Sequence, residues 1–155
     1  MRRKRNYKRE RVPGLKHGNI AIGRFINYLM SDGKKSVAEK VFYDAFDIIK
    51  NEAKLDPIAV FEKAIENATP VVEVASKRVG GANYQVPREV RPGRKFMLVC
   101  RWMIEAARAK KGKPMAKKLA EELLLAYKNE GAAIKKKQDM HRMAESNRAF
   151  AHFSW

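Results

Sequence analysis

Apolar residues recur with a helical period along most of the chain and with a period of two in one short stretch. From about Asn19 to Met30, Ile22, Phe25, Ile26 and Leu29 form a stripe that predicts a first helix. Asp32-Gly33-Lys34-Lys35 ends it and presents charge at a loop. Ser36 with Glu39 three residues on has capping-box spacing and predicts the start of a second helix. Its buried face is expected to be Val37, Val41, Ala45 and Ile48, with Phe42 and Ile49 beside them. Asp56-Pro57 opens a third helix with a capping side chain followed by proline at the first helical position. There Val60, Phe61, Ala64, Ile65 and Ala68 face inward, and Pro70 prevents continuation.

A fourth helix is expected over roughly Arg94 to Lys110, with Phe96, Val99, Trp102, Met103 and Ala106 as its core stripe and Gly112 as its C-terminal cap. Pro114 opens a fifth, along which Met115, Leu119, Leu123, Leu124 and Tyr127 line up and which Gly131 ends. Its Lys117–Glu121 and Lys118–Glu122 pairs run in the less favourable order and contribute only about 0.3 kcal/mol each. A final helix over about Ile134 to Ala151 is less apolar, and its order is expected to depend on partners. No internal repeat is visible.

The period-two stretch runs from Val72 to Arg94 around Gly80-Gly81. Val72 and Val74 point one way, and Glu73, Ala75 and Lys77 the other. On the return, Tyr84, Val86, Arg88 and Val90 oppose Asn83, Gln85, Pro87 and Glu89. Paired glycines supply the positive φ that a tight hairpin turn requires. The reading is a mainly α fold: one domain of about six helices, with a projecting two-stranded β-ribbon over residues 72–90 between the third and fourth. Residues 1–12 form a basic N-terminal arm and 13–155 the body. The arm cannot bury apolar area and is expected to be disordered when unbound.

Charge decides the class of partner. Thirty-four Lys and Arg against 17 Asp and Glu leave +17 on 155 residues, an excess that calls for an anionic surface. No segment approaches the ~20 apolar residues of a membrane span, and no signal-peptide pattern is present. A membrane-surface protein is disfavoured too, because every apolar stripe is needed for the core. The single cysteine, Cys100, excludes an internal disulfide, and the compartment is expected to be cytosolic.

Catalysis is not supported. His17, His141 and His152 have no metal-ligand spacing, although the last two, eleven residues apart, can share a helical face. Cys100 adjoins the core stripe and reads as a small buried hydrophobe. Gly80-Gly81 is not followed by the Lys-Ser/Thr of a phosphate loop. No cofactor and no metal is expected. An architectural DNA-binding protein with a basic arm for the minor groove is the second class, but it lacks an apolar wedge at the arm tip and a dimer seam.

Four motifs carry a resemblance: Gly33-Lys34-Lys35-Ser36, then Ser76-Lys77-Arg78-Val79-Gly80-Gly81-Ala82-Asn83-Tyr84-Gln85-Val86-Pro87, then Arg101-Trp102, then His141-Arg142-Met143-Ala144-Glu145-Ser146-Asn147-Arg148-Ala149-Phe150-Ala151-His152. In this order and spacing the chain resembles the bacterial small-subunit ribosomal protein seven family over essentially its whole length. The resemblance implies a primary binder of the three-prime major domain of small-subunit rRNA that nucleates head assembly. It implies a place in the cytoplasmic ribosome near the exit-site tRNA and the mRNA path, with ribosomal proteins nine and eleven as neighbours. Departures fall at Ser154, where a basic residue is expected, and at Ser146, where alanine is usual. The Arg-rich opening does not follow the family pattern residue by residue, so only its character carries over.

Within that frame the expected rRNA contacts are Arg2, Arg3, Lys4, Arg5, Lys8, Arg9 and Arg11 of the arm, Lys34 and Lys35, Lys77 and Arg78 of the ribbon, and Arg91, Arg94, Lys95, Arg101 and Arg108. Arg78, Arg94 and Arg101 outweigh Lys136, because guanidinium grips phosphate bidentately. The ribbon tip, Val79, Gly80, Gly81, Ala82, Asn83 and Tyr84, together with Arg142 and Arg148, is expected near tRNA and mRNA. Tyr84 either stacks on an exposed base or packs across the ribbon against Ser76 or Arg78. Arg101 has Glu105 as a possible partner, Trp102 reads as core, and Trp155 docks on the body or on a partner.

Overall fold

The computed structural model describes residues 18–153. The expected N-terminal arm and Ser154-Trp155 lie outside them. The order is α1 (Ile20–Leu29), α2 (Lys35–Ala53), α3 (Pro57–Ala68), β1 (Val72–Val79), β2 (Ala82–Glu89), α4 (Pro92–Ala109), α5 (Met115–Tyr127), α6 (Ala132–Ser146) and a 3-10 helix, Arg148–Phe153. Among the described residues six α-helices carry an antiparallel ribbon between the third and fourth, as the periodicity predicts.

The cap expected at Asp56 is present, and Asn19 caps α1. Asn19 accepts from the Ala21 amide at 2.8 Å, and Asp56 accepts from Ile58 at 3.2 Å with Pro57 at the first position. The start of α2 differs from expectation. Gly33 turns the chain at φ +75°, Lys34 becomes the cap and Lys35 the first helical residue. Ser36 therefore lies inside the first turn and no capping box forms; Glu39 stands 3.9 Å from Lys35 instead. The buried face is Ala38, Phe42, Ala45 and Ile49, with Tyr43 and Phe46 beside it. Val37 is exposed, and Val41 and Ile48 only half-buried, because the phenyl rings set the rotation of this helix. Phe42 and Phe46 lie 4.4 Å apart, centroid to centroid, and Phe61 meets Phe25 edge-on at 5.4 Å.

Two glycines act elsewhere than expected. Lys110, not Gly112, caps α4; Gly112 shapes the following turn at φ +79°. Tyr127 is the last residue of α5, Asn129 takes the left-handed conformation beyond it, and Gly131 is the N-cap of α6. The open carbonyls at the end of α5 are met by Asn67, which donates to Ala126 at 3.0 Å and Tyr127 at 2.9 Å. Leu119 and Leu123 are core, Met115 and Leu124 are half-buried, and Tyr127 is exposed. The lysine–glutamate pairs expected along α5 do not form. Glu121 pairs with Lys113, and Glu122 with Lys110 at 3.0 Å, because the cap of α4 and the turn after it bring lysines to that face from outside the helix.

Helix α6 stops at Ser146 rather than Ala151. Ser146 Oγ donates to the Arg142 carbonyl at 3.0 Å and Asn147 to Met143 at 2.7 Å, local bonds that compete with continuation of the helix. His141 and His152 consequently sit in different elements. The core gathers on α5, which packs against α2, α3 and α4, while α6 lies against α4 and the ribbon. Trp102, Met103, Val99 and Cys100 of α4 are buried in it. Phe96 is half-buried at the margin, with the Arg24 guanidinium 4.1 Å from its ring centre.

Candidate RNA interface

The ribbon pairs in register from Val72 opposite Glu89 to Val79 opposite Ala82, and Gly80 and Gly81 turn it at φ +57° and +90°. Glu73, Ala75 and Lys77 thus share a face with Arg88, Val86 and Tyr84. That face lies against the body, so the buried member at its root is a carboxylate. Glu73 is 4% exposed. Its Oε1 accepts from Arg88 Nε at 2.9 Å and forms an ion pair with Nη2 at 2.7 Å, and its Oε2 accepts from Arg94 Nε at 2.6 Å. Burial alone would raise the Glu73 pKa, but the hydrogen bonds and charges of Arg94 and Arg88 prevail and hold it below the usual carboxylate range. Arg91 and Glu89 complete the lining of a cleft here.

The distal half of the ribbon rests on the C-terminal 3-10 helix. Tyr84 lies 5.2 Å from both Phe150 and Phe153, and Lys77 Nζ donates to the Phe153 carbonyl at 2.9 Å. Tyr84 therefore packs on the C-terminal 3-10 helix rather than across the ribbon on Ser76 or Arg78. Arg78 is exposed, as are Gly80 to Asn83 at the tip; Val79 is half-buried. Arg142 and Arg148 are exposed and make only loose contacts, with Asp139 at 3.9 Å and Glu145 at 3.4 Å.

A second basic group forms beside the α1–α2 turn. Lys34 and Arg108 line one shallow groove, and Arg108 donates to the Leu29 carbonyl at 3.3 Å. Lys35 is exposed, Lys95 half-buried, and Arg101 exposed on the outer face of α4. Glu105, offered by the sequence as a partner for Arg101, pairs with Lys136 instead. The fold thus brings Arg91 and Arg94 together and Lys34 with Arg108, and keeps Arg142 and Arg148 on the C-terminal elements. The candidates of the arm fall outside the described residues.

Sequence reasoning missed Glu73 and Arg88 as a unit and Arg24 on its ring. The signal for the first was present: a lone acid on the inward face of a basic ribbon, directly across from an arginine. Acidic side chains gather elsewhere. Glu39, Asp44, Asp47, Glu52, Asp56, Glu62 and Glu66 all fall on or next to α2 and α3, against Lys35, Lys40, Lys50, Lys54 and Lys63 in the same span. That span is close to neutral, so the excess positive charge lies outside it.

No group of three His, Cys, Asp or Glu among the described residues is placed to hold a metal ion, and no described helix is long and apolar enough to cross a membrane. Cys100 is fully buried, and burial pushes its thiol pKa up to about 12, far from a nucleophile's range. His141 accepts the Val71 amide at 3.2 Å just before β1, an imidazole used as a structural acceptor.

Comparison with known proteins agrees with the motifs. The chain is 56% identical to small ribosomal subunit protein uS7 of Thermotoga neapolitana and 56% identical to that of Thermotoga maritima, in each case over 155 residues and the full length of both chains. It is 53% identical to uS7 of Methylocella silvestris over 148 residues, 96% of this chain and 95% of that one. The family model of ribosomal protein S7p/S5e matches residues 1–148. With basic side chains gathered on the ribbon root, the α1–α2 turn and α4, and relatives matching from end to end, the chain belongs to the ribosomal protein S7p/S5e family.

Proposed function

We propose that the protein is a structural constituent of the bacterial-type cytoplasmic small ribosomal subunit, and not an enzyme, that binds rRNA of the three-prime major domain directly and nucleates assembly of the head. The observation that carries this reading is the segregation of charge. Arg88, Arg91 and Arg94 gather at the ribbon root, Arg101 and Arg108 lie on α4 with Lys34 beside Arg108, and acids outnumber bases along α2 and α3. Such side chains engage phosphates and 2′-hydroxyls across the shallow groove of folded RNA and read its shape. Arm, ribbon and helices each contribute a weak contact, and their linkage on one scaffold multiplies them. The ribbon tip, Arg142 and Arg148 lie toward the exit-site tRNA and the mRNA, and the remaining surface meets ribosomal proteins nine and eleven. Residues 1–12 act as a basic arm on the body formed by 13–155.

Chemical footprinting of intact small-subunit rRNA with the full-length protein tests this. Protections are expected in the three-prime major domain alone; protections scattered over all domains overturn the assignment. Deleting residues 79–82 is expected to leave rRNA binding intact while reducing tRNA retention in reconstituted subunits.

A further inference from the structure

Two arginines from different elements converge on one buried carboxylate at the ribbon root. Arg88 comes from β2, directly opposite Glu73 in register, and Arg94 from the first turn of α4. The carboxylate is 4% exposed while Arg88 and Arg94 are 52% and 44% exposed, so the negative charge lies inside and the positive charges outside. A guanidinium carries five N–H donors. Glu73 accepts from Nε of Arg88, whose Nη2 stands 2.7 Å away in the same ion pair, and from Nε of Arg94. Arg88 and Arg94 line the cleft with their terminal donors still available, Arg91 adds a third cation, and Glu89 and Glu73 itself are the two acids of the lining.

We propose that Glu73 is the positioning residue of a phosphodiester-binding site formed by Arg88, Arg91 and Arg94, fixing two guanidinium forks so that they grip one backbone phosphate of a folded RNA. This deepens the rRNA-binding reading and rests on it. A long side chain that must be immobilised on binding gives up rotamer freedom, and Glu73 imposes that order before RNA arrives. The consequence runs against simple electrostatics. Removing a negative charge from a protein at +17 should favour every polyanion, yet here it should harm recognition of the folded target.

The test measures binding of the full chain and of Glu73→Gln to a folded three-prime-domain rRNA fragment and to a scrambled structured RNA, over a salt series. The wild type serves as control: if it shows no preference for the fragment, the rRNA reading itself fails and the positioning role is moot. Given that preference, Glu73→Gln is expected to weaken the fragment about tenfold and leave the scrambled RNA equal or tighter. Its log–log salt slope for the fragment should fall by about 0.7–0.9, one phosphate contact. Equal tightening for both RNAs, with an unchanged or steeper slope, overturns the proposal and leaves Glu73 as a pin between ribbon and α4. Should Glu73→Gln lose its native dichroism, Arg88→Lys, which keeps net charge and loses the fork, supplies the same reading. Loss of discrimination supports the site, and unchanged discrimination overturns it.

Discussion

Glu122 Oε1 accepts the Ala133 amide at 3.0 Å, so a side chain of α5 provides the N-terminal cap that Gly131 itself has no side chain to supply for α6. The other carboxylate oxygen stands 3.0 Å from Lys110 Nζ, an ion pair whose angle is poor for a hydrogen bond. Glu122 is fully buried and thereby joins the end of α4, the middle of α5 and the start of α6.

Replacing Glu122 with Ala removes a cap and leaves Lys110 without its closest partner. A loss of about 3 kcal/mol is expected by urea unfolding. Gly131→Ala should also destabilise, by about 2 kcal/mol. Its Cβ would lie 3.0 Å from Glu122 Oε1 and 3.1 Å from Leu125 Cβ at φ +95°. If Glu122→Ala were neutral, the cap would be incidental.

Tyr84, Phe150 and Phe153 tie the ribbon to the C-terminal 3-10 helix. Phe150→Ala should weaken that tie by about 1 kcal/mol. Amide exchange of strand residues 76–85 is expected to accelerate, with the amides of α5 unchanged. Uniform acceleration would instead mean global destabilisation.

His141 is held below the usual imidazole range by burial and secondarily by the charge of Lys137. The unfolded chain therefore takes up the proton first. The stability His141 contributes is whole above the ordinary value of about 6.5 and declines as pH falls through it toward the lower folded value. Protonation also removes the acceptor for the Val71 amide. The protection factor of the Val71 amide should fall as pH is lowered below about 6.5, and His141→Gln should flatten that dependence.

Cys100 offers a built-in reporter of opening. Its complete burial and a pKa pushed up to about 12 predict no alkylation of the native chain at neutral pH. Labelling should follow the rate of unfolding across a urea series. Rapid labelling without denaturant would contradict the packing around α4.

The helices were legible where a cap or a strict stripe was written locally, as at Asp56-Pro57 and along Val60, Phe61, Ala64 and Ala68. They were misread where a tertiary partner decided. Ser36 offers a capping box, but Gly33 delivers the chain to Lys34 one turn position earlier. Val37 fits a valine stripe, but packing of Phe42 and Phe46 on Phe25 and Phe61 rotates it outward. Gly131 reads as a stop for α5 until Glu122 is seen capping α6. The candidate interface divides in the same way. Positive charge on the ribbon and α4 is a property of composition, while the role of Glu73 arises only when strand register and the turn into α4 meet. The place of Tyr84 depended on a C-terminal 3-10 helix that an uninterrupted α6 would have hidden.

The most direct measurement is competition binding of the full-length protein to a folded three-prime-domain fragment of small-subunit rRNA, against a scrambled structured RNA and a duplex DNA of equal length, from low to physiological salt. A preference for the fragment that persists as salt rises is the expected result, because shape fit adds to counterion release. Equal affinity for all three, collapsing together with salt, would contradict a shape-specific rRNA binder and favour generic attraction between a basic surface and any polyanion.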